Sequence, residues 1–403
     1  MTDQSLAAPR RRPPPPRPPL SLSGAWNNVA VRGWVYQAAV VLGVLGTGAF
    51  LIGNAQDALS KQGISTGFGF LTQIGGFDIG EKLIAFGSND TFLRAYAVAV
   101  LNTLKVAVAS VVLSTVIGVL VGVGRLSSNL LIRRLASIYV EVFRNTPQLV
   151  QLIFWYTLIT ALPRPREAIS VGGVAFLSNR GLLLPWIDTD ASLLTIGLAF
   201  AAGCIGAWAV SRWADARRRA SGVRHSIFGW QLALVAGAPL AASVITGASY
   251  SFSVPVLRGF NFRGGVALSP EFLALMLGLS LYIAAFIAEI VRSGIQSIGR
   301  GQIEAARTIG LGRFDTYRRV IFPQALRVMI PPAAGQYVSV VKNSSLGVAI
   351  GYPELFSVNN TIVTLSGHTV EAIAIMMSIY LAISFVIAAL MNLYNHFVQI
   401  KDR

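Results

Sequence analysis

Glu289 and Arg292 stand three residues apart in an apolar run, so on a helix they share one face. Lys342 lies in a second apolar run and is followed at once by Asn343, Ser344 and Ser345. Ionisable groups cost about 2.5–3.5 kcal/mol each at the centre of a membrane helix, so they call for a reason. A carboxylate, a guanidinium and an ammonium could together hold a zwitterion, with Glu289 taking its ammonium and Arg292 or Lys342 its carboxylate. The Lys342–Ser345 patch would then line a solute path. The competing reading is structural: an ion pair near a helix end with Arg292 reaching to the surface, and a Lys342 paired with a neighbouring carboxylate to hold helices together. The residues alone leave both open.

Other chemistries have little to work with. Three histidines, His225, His368 and His396, stand singly in or beside loops, and the one cysteine, Cys204, sits inside an apolar run. That predicts no metal site, no disulfide, no cofactor and no nucleophile–base pair, so an integral membrane enzyme is disfavoured. No G-x-x-x-x-G-K-[ST] occurs, which excludes a P-loop nucleotide site, and the glycines of GFGFLTQIGG lack the strand and helix that a nucleotide loop requires. Glu141 and Arg144 repeat the three-residue spacing and read as a structural pair beside Pro147, which should kink its helix. Lys105, near Asn102 and Thr103, has no clear role.

The elements that must position these residues follow from hydropathy. The chain is 54% hydrophobic and 12% charged with mean hydropathy +0.61, and its apolar runs of about 20 residues do not alternate. That pattern predicts an all-α polytopic membrane protein rather than a barrel. Eight spans are expected, near 34–53, 92–122, 136–160, 192–211, 228–247, 271–297, 331–350 and 371–397. Residues 1–32 form a basic, proline-rich tail (RRRPPPPRPP), too polar to build a core. Residues 33–91 hold the first span and a Gly-rich outer segment, and 92–403 the main transmembrane domain, with an extra two-helix region at about 161–268.

Lys and Arg set the orientation. With the N-terminus inside, the tail, Arg125, Arg133, Arg134, the run Arg212–Arg224, the arginines of 303–323 and the C-terminal Lys401 and Arg403 all fall on one side. The other side has Lys61, Lys82, Arg94, Arg164, Arg166, Arg180, Arg258 and Arg263, a bias of more than two to one. Both termini are therefore expected in the cytoplasm. The net charge of +16 reports this topology and not nucleic-acid binding, because the arginines lie in short loops beside spans.

One inner segment is different. In IEAARTIGLGRFDTYRRVIFP (303–323), Ile303, Ala306, Gly310, Phe314, Tyr317 and Ile321 fall at helical spacing, while Gly310 and Gly312 should divide the stretch into two short helices at a bend. Pro323 and Pro331-Pro332 are read as the chain turning back into the membrane. On periodicity alone a solvated cytoplasmic loop with positive-inside charge is the favoured reading. Its residues, however, resemble the "EAA" signature of ABC importer permeases: Glu304, Ala305, Ala306, then Gly310 after three residues, Val320 and Phe322 for the commoner Ile and Leu, then Pro323. The resemblance implies a type I importer permease core whose 303–323 loop docks in a groove of a separate ATPase subunit, with ATP hydrolysed by that partner and not by this chain.

Four further stretches, NTLKVAVASVVLSTVIGVLVGVGRLS (102–127), EVFRNTPQLVQLIFWY (141–156), AEIVRSGIQSIGRGQIEAARTIG (288–310) and YVSVVKNSSLGVAIGYPEL (337–355), are similar to the polar amino-acid permeases. The added tail, first span and 161–268 region give a layout similar to the enlarged general L-amino-acid permeases. What this implies is a bacterial inner-membrane importer of L-amino acids, with an ATPase dimer, a second homologous permease subunit forming a heterodimer and a periplasmic amino-acid-binding protein as partners. An ion-coupled secondary amino-acid transporter is the alternative, and it predicts matched halves that this sequence does not display.

Overall fold

The computed structural model describes residues 29–61, 67–189, 193–221, 227–247 and 250–398. Most of the expected tail, together with His225, Lys401 and Arg403, lies outside the described residues, and so does the side chain of His396. The chain divides into two units at Phe68 and Gly69. The described part of the first is a single helix, α1 (Val29–Lys61), whose 31–51 stretch is apolar enough to cross a bilayer.

The second unit is built on α2 (Phe92–Gly124) and α7 (Pro270–Gln296). Lipid offers no hydrophobic drive for helices to pair, so close van der Waals contact must do it, and small residues allow that contact. Here Gly118 and Gly122 of α2 meet Ile287, Ala288 and Val291 of α7; a Cβ on Gly118 would lie 2.6 Å from Ile287 Cβ. Leu152, Leu275, Leu279, Ile283 and Val340 continue this core.

Two expected spans are broken. The 136–160 stretch is α3 (Leu130–Asn145), an amphipathic helix with only Val140 buried, followed by α4 (Gln148–Thr160). Thr146 and Pro147 between them are extended, as the residue before a proline prefers. The kink expected at Pro147 is thus a full break, and α4 is only about 20 Å long. The 331–350 stretch is in fact the end of a longer helix, α10 (Phe322–Asn343), and a 3-10 stretch, Ser344–Ile350. Pro331 and Pro332 therefore sit inside a helix rather than at its start, where each removes one helical N–H donor. A further helix, α11 (Leu355–Ser366), precedes α12 (Thr369–Val398). Among the described residues five helices are long and apolar enough to span a membrane, with α4 and the stretch 229–245 shorter.

The 161–268 region is a helical hairpin on a β base. Its helices, α5 (Leu193–Ser221) and α6 (Phe228–Ile245), pack on each other, with Gly203 against the Leu234 backbone. The flanking chain forms short strands. β1 (Ile169–Val171), β2 (Ala175–Ser178) and β3 (Gly181–Leu184) continue an antiparallel sheet to β8 (Val266–Leu268). Beside it, β4 (Trp186–Thr189) pairs with β5 (Tyr250–Ser253), and β6 (Val256–Arg258) with β7 (Asn261–Arg263).

Candidate functional site

The two helix breaks face each other. Asn343, the last residue of α10, donates from Nδ2 to Oε1 of Gln148, the first residue of α4, at 2.8 Å. Three residues on, the 94%-buried Gln151 donates from Nε2 to the carbonyls of Phe143 and Thr146, which the break at Pro147 leaves without helical donors. Gln148 Nε2 and Gln151 Oε1 remain buried without a partner. Irregular backbone within a membrane bundle is tolerated where protein or a cavity surrounds it, and broken helices are a recurring way to present polar groups to a solute.

Around this break the predicted patch divides. Ser344 is buried and donates to the Val341 carbonyl at 2.7 Å; Ser345 donates to the Lys342 carbonyl at 2.8 Å. The Lys342 side chain is exposed on the surface of this single chain, and no carboxylate among the described residues pairs with it. Because α10 begins at Phe322, Lys342 lies about 30 Å along its axis, farther from the inner end than a span starting at 331 implied.

Glu289 and Arg292 do share a face of α7, and they bond to each other. The Glu289 carboxylate also pairs with Arg125 at the end of α2, while Arg144 of α3 comes to 4.0 Å and lies over the Phe286 ring. Arg144 thus leans toward Glu289 of α7, and no Glu141–Arg144 pair is found among the described residues. Three guanidiniums surround one carboxylate, so this junction of α2, α3 and α7 is net positive. It does not meet Lys342. Gly294 abuts Met329, and counting from that contact places Glu289 five residues out and Lys342 thirteen, about 12 Å apart along the axis.

Several polar residues at the outer side were not singled out from the sequence. Glu81, from the Gly-rich outer segment, pairs with Lys105 of α2 and accepts from Ser269, the N-cap of α7, while its backbone carbonyl and that of Pro353 accept from Asn102. Lys105 also lies 4.4 Å from the Phe272 ring centroid. Glu354 is fully buried and caps α11, accepting from the Phe356 and Ser357 N–H groups and from the Tyr380 hydroxyl at 2.7 Å. A buried carboxylate requires such partners. The only sequence signal was its place in YPEL beside the break.

The coupling-loop candidates lie on α8 (Arg300–Thr308) and α9 (Arg313–Thr316). Gly310 takes φ +82 and ends α8: its N–H reaches the Arg307 carbonyl and the Leu311 N–H reaches that of Ala306. Only glycine adopts this conformation without strain, and the pairing satisfies carbonyls at the helix end. Glu304 and Ala305 are exposed and Ala306 is buried. Ile309, Phe314 and Tyr317 stand out at 75%, 74% and 55% exposure. A π-helical turn, Tyr317–Ile321, joins α9 to α10, with Pro323 in the first turn of α10.

Residues 114–400 match the family described as "binding-protein-dependent transport system inner membrane component". The chain belongs to this family. Among its relatives, YhdX of Escherichia coli (strain K12), a putative amino-acid ABC transporter permease protein, is 43% identical over 94% of this chain and 97% of its own length. AapQ of Rhizobium johnstonii, a general L-amino acid transport system permease protein, is 40% identical over 95% and 96%. BztB of Rhodobacter capsulatus, a glutamate/glutamine/aspartate/asparagine transport system permease protein, is 35% identical over 96% and 99%. A solved amino acid ABC transporter with histidines is 19% identical, with a TM-score of 0.45 over 76% of this chain and 94% of that one. As a family member, this inner membrane component is a multi-pass permease subunit of an ABC importer that hydrolyses no ATP itself; a separate ATPase subunit and a binding protein work with it.

Proposed function

We propose that the chain is one of two homologous permease subunits of an L-amino-acid importer in a bacterial inner membrane, with eight spans and both termini cytoplasmic. The observation that carries this reading is near full-length similarity to permeases named for amino acids. The partners are an ATPase dimer, the second permease and a periplasmic amino-acid-binding protein.

The ATPase docks on 303–323, where the exposed Ile309, Phe314 and Tyr317 form an apolar surface on two short helices beside Glu304 and Ala305. ATP-driven closure pulls this segment and, through the π turn, the inner end of α10. The solute path follows the Lys342–Ser345 patch at the helix breaks, where Lys342 offers an unpaired ammonium to a carboxylate. Glu289 and Arg292 lie at the inner mouth, where the positive junction faces a departing carboxylate.

The test is co-purification of the ATPase with Glu304→Lys and Gly310→Asp variants, co-expressed with the permease, ATPase and binding-protein subunits. Loss of the ATPase with normal membrane insertion supports docking. Normal association and normal amino-acid uptake in both variants would sink it.

A further inference from the structure

We infer that an apolar cleft beside the coupling segment binds an inner-leaflet phospholipid with an anionic headgroup. The cleft encloses about 1140 Å³ between α2, α7, α10, α12 and the 314–322 stretch. Side chains such as Val119, Ile290, Leu326 and Met391 make its walls apolar along most of its length. Its polar members gather at the ends. Arg318, Tyr317 and Tyr394 stand at the inner mouth, and Thr115 and Tyr337 close the far end with a mutual 2.9 Å hydrogen bond.

Three observations choose a lipid as the occupant. First, length: Tyr337 lies fifteen residues beyond Phe322 on α10, about 22 Å, which matches one leaflet with its headgroups, half of a bilayer about 40–45 Å thick. Second, lining: apolar walls attract no water, and an empty cleft would forfeit its dispersion contacts, whereas an acyl chain supplies them. Third, charge: Asp315 is neutralised by Arg319 at 2.9 Å, and Arg318 makes no ion pair among the described residues. A free guanidinium at the inner mouth matches a phosphodiester, and flanking tyrosines suit the headgroup level. The acyl chain would then run from Phe322, where the coupling segment passes into α10, along Leu326 and Ala333 toward Tyr337. The leaflet rests on the proposed cytoplasmic position of that segment; occupancy of the cleft does not.

The experiment places the whole transporter in phosphatidylcholine vesicles doped with phosphatidylglycerol bearing a photoreactive group at its tail end. A parallel set uses phosphatidylcholine with the same tail. Labelled peptides are mapped by mass spectrometry. Phosphatidylglycerol adducts should fall on α10 between Leu326 and Tyr337. Arg318→Glu should lower them about tenfold, as expected for losing one charge-assisted contact, and leave the phosphatidylcholine label unchanged. Ala333→Trp, which fills the cleft, should abolish both. Equal labelling by the two lipids, insensitive to Arg318→Glu, would mean ordinary boundary lipid and overturns the headgroup assignment. If a photoreactive residue at position 333 traps the second permease or the 29–61 helix of this chain, the cleft is a protein interface and the lipid site falls. ATPase co-purification from the same samples separates this result from a failure of docking.

Discussion

Asn343 and Gln148 are joined by a 2.8 Å hydrogen bond that links the end of one broken helix to the start of another. The contact couples α10, which continues from the coupling segment, to α4, whose own break at Pro147 is mended by Gln151. In the proposed coupling, this hydrogen bond would carry movement of α10 to the break at Pro147.

Asn343→Leu removes the donor and leaves Oε1 of the half-buried Gln148 without its partner, a cost of about 1 kcal/mol or more. Uptake into proteoliposomes should fall about tenfold or more while ATPase association is retained. Uptake equal to the wild type would show that the two breaks act independently.

Glu289→Gln leaves Arg125 and Arg292 facing each other without a counter-charge. At a junction exposed by about a third, the expected loss is about 1–2 kcal/mol after allowance for screening. Adding Arg125→Gln should restore part of the lost thermal stability in detergent. Strictly additive losses would mean that the three arginines are not organised by this carboxylate.

Much of this organisation was legible in the residues. The Gly310 bend, the long apolar helices and the shared face of Glu289 and Arg292 follow from local rules that depend on a few neighbours. The breaks were less legible, because a proline such as Pro147 ends one helix and Pro331-Pro332 are absorbed by another, and only packing decides between these outcomes. The strands were not legible at all. They are three or four residues long, and partners such as Leu183 and Ala267 lie far apart in sequence. Lys105 could not be assigned for the same reason: its partner, Glu81, is in a separate segment outside the helix.

Glu81→Gln should loosen the outer segment from α2 and α7, since one carboxylate holds both Lys105 and Ser269. Limited proteolysis from the outer side should cut residues 69–91 several-fold faster, at a cost of about 1–2 kcal/mol in local opening. An unchanged cleavage rate would assign the hold to Phe70, Ile79 and Phe86, which pack with residues of α2, α11 and α12.

Gly118→Val places a branched side chain where even a Cβ would lie 2.6 Å from Ile287 Cβ. Overpacking of this kind costs about 1–3 kcal/mol, and the melting temperature in detergent should drop by several degrees. Gly335→Val, which a Cβ enters without meeting any atom within 4 Å, is the control and should melt near the wild type. A wild-type-like melt for Gly118→Val would show that α2 and α7 can separate at no cost.

The β base of the hairpin region carries a consequence for how such a chain is assembled. Leu184 and Val266 are directly paired across β3 and β8, so the two points where the region leaves and rejoins the rest of the protein are neighbours about 5 Å apart. A tight turn from one to the other would close the sheet as a plain hairpin. The α5–α6 region is therefore a cassette, removable or exchangeable as a unit without moving the ends of α4 or α7.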